Sequence, residues 1–300
     1  MRNLRILIVA TLALVASVAA YADHYSDTYV IPVAGHTAGI NGSLWTSDLA
    51  ITNFAATPLT VQIIVVESGL DNFDNIYPLT TATNDGSTVL DPNSTVLLRD
   101  VLNGQRGRQN IAGALILGGD KPFAVTSRIS NGGNGGDSVG ETVPPARDFF
   151  ENSTGLSDNS AVVYLPGLVS NATARANVGF VAGSSSDAPM TVSVTIKNSA
   201  GETLGTRTIG LPASNFTHTQ FSVSSITNTP FDIGSAEFRI TSGTGTVVPY
   251  ASVIDNASNN AAYIMGQFPD STPFGATSSF STNIFRKLIE TMTRRPWTDR

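Results

Sequence analysis

The sequence contains no cysteine, and only 13% of its 300 residues are charged. Without cysteine the chain has neither disulfides nor a lipobox cysteine for lipid attachment, so its stability must come from packed cores. Lysine is especially rare, and no stripe of basic residues interleaved with aromatic residues runs through the body of the chain. Together with a formal net charge of -6, this excludes the electrostatic footprint of a nucleic-acid-binding protein.

Most catalytic motifs of common secreted hydrolases are absent as well. There is no H-E-x-x-H or S-x-x-K pattern and no thiol, and G-x-S-x-G occurs only as GDSVG at 136–140, inside a glycine-rich segment. The histidines His24, His36 and His218 are scattered, which predicts surface or loop positions rather than a metal site. The carboxylates that could pair for glycoside hydrolysis show no pattern; these are Asp48, Asp100, Glu141 and Glu237. We therefore expect no enzymatic activity, no cofactor and no bound metal.

The first 22 residues have the pattern of a secretory signal peptide. Arg2 and Arg5 precede an uncharged apolar run, and Ala20 and Ala22 are placed as the small residues of an A-x-A cleavage site. The run is shorter than the about 20 residues that a membrane helix needs, so we expect cleavage and no stable membrane span. The expected location is extracellular or at the cell surface, with the periplasm as the alternative.

The body of the chain has the pattern of a tandem duplication of short strands. The clearest pair of segments begins at Phe123 and at Val247. Both segments alternate in the manner of a strand that runs into a turn, and aligning them pairs Val125, Ser127, Ile129 and Asn131 with Tyr250, Ser252, Ile254 and Asn256. The duplication predicts two similar domains.

A second pair of segments, PLTVQIIVV and PMTVSVTIK, has the period of a β-strand. In the later copy Val192, Val194 and Ile196 fall on one face, which we expect to be buried. In the earlier copy the opposite face carries Ile64 and Val66 as well. This strand is therefore expected either to be covered on both sides or to expose an apolar contact surface.

Turn signals recur about every 8 to 12 residues, which is the pattern of a β-sandwich. The predicted fold is all-β, with two tandem immunoglobulin-like β-sandwich domains and a short C-terminal amphipathic helix. The expected segments are a signal peptide over 1–22, a first sandwich over 28–146, a linker over 147–160, a second sandwich over 161–269 and a tail over 270–300.

In the tail, apolar residues recur at helical spacing among basic residues; they are Ile284, Phe285, Leu288, Ile289 and Met292. This pattern predicts a docking helix. The helix would either complete the second core or contact a membrane surface, a partner groove or the secretion machinery.

Several segments resemble a known group of proteins. They are IPVAGHTAGINGSLWTSDLAITN, SRISN, LPGLVSNATARANVGFV, TLGTRTIGLPASNFTHTQF and PYASVIDNASNNAAYI. They are similar to uncharacterised exported bacterial proteins with paired immunoglobulin-like repeats, and the resemblance spans Tyr29 to Gln267. It implies the tandem fold, but the group has no assigned activity to carry over. The chain departs from the usual pattern at Ser47 and Ala176, where the family often has Thr, and the tail after Phe274 lies outside the resemblance.

These observations predict a non-catalytic exported protein that is structural or adhesive, with other copies of itself or surface proteins as partners. A polymer could form if the N-terminal strand, Tyr29 to Val33, paired with a neighbour's open sheet edge. One alternative is a carbohydrate-binding module in which Trp45, with Tyr29 or Phe54, stacks on a sugar ring. The other is an accessory domain of a larger surface complex.

Overall fold

The structure is a computed structural model that describes residues 26–39, 42–69, 77–78, 87–106, 110–132, 139–147, 162–184, 189–213, 216–243 and 245–267. The predicted signal peptide, nearly all of the predicted linker and the predicted tail lie outside the described residues. So do the residues of the predicted docking helix, and those predictions stay predictions. Within the described ranges, no helix has the length and apolar character that crossing a bilayer requires.

The prediction of an all-β chain is confirmed in the described residues. The first half of the chain contains nine strands: β1 (Ser26–Ala38), β2 (Leu44–Asn53), β3 (Leu59–Glu67), β4 (Tyr77–Pro78), β5 (Ser87–Leu90), β6 (Ser94–Leu98), β7 (Ile111–Asn131), β8 (Val139–Val143) and β9 (Ala146–Arg147). A short helix, α1 (Val101–Arg106), follows β6. The second half contains β10 (Val163–Ser170), β11 (Ala174–Ser184), β12 (Met190–Asn198), β13 (Thr203–Leu211), β14 (Phe216–Ser222), β15 (Phe231–Ser242), β16 (Gly245–Asp255) and β17 (Ala261–Met265).

The strand pairing of the second half recurs in the first. The second half has two antiparallel sheets, with the orders β10-β15-β12-β13 and β14-β11-β16-β17. In the first half the long strand β7 replaces both β15 and β16. Its residues 111–123 pair with β1 and β3, and its residues 124–131 pair with β2 and β8. The two sheets of the first half are thereby joined into one.

The pairing differs from the immunoglobulin order, in which strands A, B, E and D form one sheet and strands C, F and G form the other. In the second half, the first strand, β10, pairs with the sixth strand, β15. The seventh strand, β16, pairs with the second strand, β11. The fourth strand, β13, pairs with the third strand, β12. The first, fourth and seventh strands have therefore changed sheets relative to the immunoglobulin arrangement.

Each half buries its own apolar core, which lies between two sheets in the second half and inside the joined sheet of the first half. The alternation predicted for β12 is confirmed, because Val192, Val194 and Ile196 are fully buried in the second core. Phe180 and Phe238 meet edge to face across that core, with ring centroids 6.2 Å apart. The first core contains the corresponding side chains of β3, which are Val61, Ile63 and Val65.

The alignment of the segments that begin at Phe123 and Val247 was wrong by one residue. Ser127 lies opposite Leu49 on the inner face of its sheet, whereas Ala251 lies opposite Val178 on the inner face of the second half. Ser127 therefore corresponds to Ala251, and Tyr250 lies on the outer face. Both faces of β16 carry apolar residues, so sequence alternation alone could not choose between registers that differ by one residue.

Strand β1 lies inside its sheet instead of at an edge. Tyr29 pairs with Leu117 of β7 on one side and with Arg147 of β9 on the other. Its neighbours Val30 and Ile31 are fully buried. The strand that was expected to be available to a neighbouring molecule is thus paired on both sides within its own chain.

Candidate functional site

A third buried apolar cluster lies between the two halves. Six of its residues come from the outer face of the first half, on β1, β3, β7 and β9: Val30, Ile64, Val66, Ala114, Ile116 and Ala146. Three come from the outer face of the second half, on β11, β14 and β16: Val181, Phe216 and Val248. We call this contact the inter-half interface. It explains why β3 is apolar on both faces: one face packs in the first core and the other in the interface.

A chain of hydrogen bonds crosses the same interface beside the apolar cluster. Tyr250 donates its hydroxyl hydrogen to Oε1 of Gln220 at 2.8 Å, so its oxygen accepts from Nε2 of His218 at 2.7 Å. Nδ1 of His218 then accepts the hydroxyl hydrogen of Ser68, at the end of β3. The backbone follows the same path, because Gly69 N donates to the carbonyl of His218 at 3.3 Å. Every donor in this chain points in one direction, from Ser68 towards Gln220.

His218 is held neutral in this arrangement. Burial lowers its pKa to about 3, and the carbonyl of Pro32 offsets this effect only in part. The order of Ser68, His218 and Tyr250 resembles a nucleophile, a base and an orienting group. A general base works best with a pKa near the operating pH, so an imidazole with a pKa this low is a poor base for Ser68. The geometry therefore favours a structural link over catalysis.

Tyr250 forms the centre of an aromatic stack at the interface. Its ring lies 5.9 Å from that of His218 and 5.8 Å from that of Tyr263, with interplanar angles of 19° and 9°. The ring fits because position 179 is a glycine. A Cβ atom on Gly179 would lie 2.7 Å from Cζ of Tyr250 and 2.7 Å from the carbonyl oxygen of Thr219. Burial also raises the pKa of Tyr250 far above the ordinary value of a phenol.

Glu141 of β8 lies at the end of the first core, where the second half meets it. Its Oε1 accepts a hydrogen bond from the hydroxyl of Ser252 at 3.2 Å. Burial raises the pKa of Glu141 to about 7, and the bond from Ser252 opposes this only weakly. Tyr263 of β17 packs against the first core although it belongs to the second half. Glu141 of the first half therefore bonds to the second half, and Tyr263 of the second half packs against the first core.

The corresponding outer face of the second half is polar. The pairing register matches Ile64, Val66 and Ile116 with Thr195, Lys197 and Glu237. Glu237 is bonded to Nζ of Lys197 at 2.6 Å and to Nε of Arg239 at 2.5 Å. The first half differs in the opposite direction. Its outer face that points away from the interface carries Thr52, Thr95 and Thr126. The equivalent positions of the second half carry Val181, His218 and Tyr250, which lie at the interface.

The three residues expected to stack on a sugar do not lie together. Tyr29 is buried in the first core, where its hydroxyl donates to the carbonyl of Phe123 at 2.7 Å. Trp45 is partly exposed near the start of β2 and packs closely against Gly39. Phe54, which is 42% exposed, follows the other end of β2. Phe54 is nine positions after Trp45 along an extended strand, a separation of about 30 Å, so one sugar ring cannot contact both.

Two of the histidines are buried, contrary to the expectation of surface or loop positions. His218 is enclosed at the interface, and Nδ1 of His36 lies 2.9 Å from Oδ1 of Asp100. Asp48 accepts from the backbone N–H of Asp100 at 2.8 Å. His24 lies outside the described residues. Within the described ranges, no group of three or more histidine or acidic side chains could hold a metal ion.

Sequence reasoning did not find the interface residues, although two signals were present. Ile64 and Val66 indicated a strand that could be covered on both faces. In the segment FTHTQ, residues Phe216, His218 and Gln220 alternate along β14, so an apolar residue and a histidine share one face. A histidine in phase with an apolar residue on a strand is a signal for a buried position.

Comparison with known proteins adds little to this description. No protein-family model matches the chain, and no curated protein matches it. The crystal structure of Thermotoga maritima 1070 is similar over 41% of this chain and 96% of its own, with 11% identity and a TM-score of 0.32. The apo form of a Pleurotus ostreatus lectin is similar over 83% of this chain and 76% of its own, with 8% identity and a TM-score of 0.20. TM-scores this low carry no argument about fold or function.

Proposed function

We propose that the chain is a non-catalytic exported protein that acts as a rigid structural or adhesive unit at the cell surface or in extracellular material. Its two halves would be tandem β-sandwiches of immunoglobulin-like size, with a strand pairing that differs from the immunoglobulin order. The proposal of export rests on the pattern of residues 1–22. The alternatives are a carbohydrate-binding module and an accessory domain of a larger surface complex.

The observation that carries this proposal is the inter-half interface. Flexibly linked modules do not need to bury Ile64, Ile116 and Phe216 between them, because each sandwich already has a core of its own. An interface that is apolar in the middle and hydrogen-bonded beside it resists relative motion of the halves. In addition, the paired Ser68 and His218 are engaged in that interface, and the low pKa of the histidine disfavours a hydrolytic role.

The rigid-unit part is tested by calorimetry and small-angle X-ray scattering on Val248→Asp, which places a carboxylate in the apolar interface. We expect the wild type to unfold in one transition and the variant to show two transitions and a larger radius of gyration. Thr126→Asp is the matched control, because it occupies the exposed outer face of β7. Two separate transitions in the wild type would contradict a rigid unit.

The structural role is tested by electron microscopy of the mature protein, Asp23 to Arg300, beside a version that ends at Phe274. Ordered assemblies or filaments would support a structural subunit, and their loss on truncation would assign assembly to the tail. Discrete monomers in both samples would favour adhesion or glycan binding. A glycan array with a Trp45→Ala variant then separates these two, because a folded variant that still binds would reject stacking on Trp45.

A further inference from the structure

Three polar atoms near the inter-half interface are shielded from solvent and have no hydrogen-bond partner among the described residues. They are Oγ of Ser127, Oε2 of Glu141 and the hydroxyl oxygen of Tyr263. A buried polar atom without a partner costs about 1–3 kcal/mol, so native proteins rarely leave several of them in one region. Some group that satisfies all three would remove this cost.

The pairing register places the three side chains around one point. Ser127 lies opposite Val143 on β8, and Glu141 is two residues away on the same strand and the same face. Diagonal neighbours of this kind lie about 7 Å apart at their Cα atoms, which is within reach of a glutamate side chain.

Tyr263 reaches the same point from the second half. It lies directly opposite Ser252, whose hydroxyl is bonded to Glu141, and its ring packs against the first core. Val125 and Ile129, the neighbours of Ser127 on its face of β7, belong to that core. The three unpartnered atoms therefore converge at the end of the first sandwich.

The chemistry of the three groups matches one small polar ligand. Two hydroxyls can each donate and accept, and the carboxyl group accepts when ionised and donates when protonated. A water molecule offers two donors and two acceptors and usually makes about three hydrogen bonds when it is buried. We propose that Ser127, Glu141 and Tyr263 bind one ordered water molecule, which links the first half to the second.

This water would complete the contact that Ser252 begins. Glu141 would then be bonded to the second half through both oxygens: directly to Ser252 through Oε1 and by way of water to Tyr263 through Oε2. Ser127 anchors the water to β7, away from bulk solvent. The site also fits either protonation state of Glu141, because water can donate to a carboxylate or accept from a carboxylic acid.

A crystal structure of the mature protein at high resolution tests the site directly. We expect one density peak within about 2.6–3.2 Å of all three atoms. A direct contact between the hydroxyl of Tyr263 and Oε2 of Glu141, or an apolar gap without a peak, would overturn the proposal. A peak with the shorter distances and extra oxygen ligands of a metal cation would overturn it as well.

Water-oxygen relaxation dispersion supplies a second measurement in solution. Glu141→Met removes the carboxyl group and fills its space, and we expect the number of long-lived buried waters to fall by one. Tyr263→Phe keeps the ring and removes one partner, so the water should remain but exchange faster. An unchanged number and exchange rate in both folded variants would refute the site, and the wild-type crystal structure decides if either variant fails to fold.

Discussion

Replacing Glu141 by Gln should make the protein more stable at alkaline pH and leave it nearly unchanged at acid pH. The carboxyl group has a pKa of about 7 in the folded protein, because burial raises it from an ordinary value of 4.5. The folded state therefore holds this proton more tightly than the unfolded state does. As pH rises from 4.5 through 7, the wild type loses stability that a glutamine, which does not titrate, keeps.

The size of the effect follows from the two pKa values. At about 1.4 kcal/mol for each factor of ten in proton affinity, the wild type should lose about 3 kcal/mol in this window. We expect the difference in unfolding free energy, variant minus wild type, to be near zero at pH 4 and about 3 kcal/mol at pH 8. Urea denaturation at a series of pH values measures this difference. The contributions of the other titrating groups to the unfolding free energy are the same in both proteins and cancel.

Glu237→Gln is a control for which the expected change of stability with pH has the opposite sign. Burial alone would raise the pKa of Glu237, but the bonds from Lys197 and Arg239 outweigh it and lower the pKa below its ordinary value. The wild type should therefore be the more stable protein at neutral pH, and this advantage should shrink as pH falls. A Glu141→Gln difference that is independent of pH, or that has the sign of the control, would show that Glu141 is not buried as described.

Three further predictions concern the same interface. Phe216→Ala should lower the unfolding free energy by about 3–5 kcal/mol in urea denaturation, because it empties a buried site between the halves; a loss near zero would mean that the halves do not pack there. Gly179→Ala should be strongly destabilising in thermal denaturation, since its Cβ would strike Tyr250 and the backbone, whereas Gly210→Ala, which has open space, should be tolerated; equal effects would contradict the close approach. Ser68 should resist labelling by a fluorophosphonate at neutral pH, because its histidine partner has a pKa of about 3; stoichiometric labelling seen by mass spectrometry would revive a catalytic role.

The sequence was sufficient for the class of fold and for the positions of several strands along the chain. Period-two alternation located β12 correctly, because one face of that strand is buried and the other is solvated. The same reasoning failed for β16, where the inner face packs in the second core and the outer face carries Val248 and Tyr250. A strand that is covered on both sides loses the alternation that fixes its register.

Local sequence patterns could not predict the candidate site, for a related reason. Glu141, His218 and Tyr250 come from three strands and Ser68 follows a fourth, and 150 residues separate Ser68 from its partner His218. None of them has a neighbour in sequence that would predict its partner. Only the packing of one half on the other brings them together, and that packing depends on which outer faces are apolar, a property that becomes visible once the strand register is known.

The polar outer faces described above determine how many sandwiches this chain can join. The contact between the halves is heterologous, since it uses different faces of the two sandwiches, and contacts of this kind can in general continue from molecule to molecule. Here one face that would be needed for continuation carries the ion pairs of Lys197, Glu237 and Arg239. The other carries threonines beside a single exposed leucine, Leu97. A third sandwich could not dock in the same way without changes to both of its faces. The side chains of these faces thus disfavour continuation of the same contact, and we expect any longer assembly to use contacts of another kind.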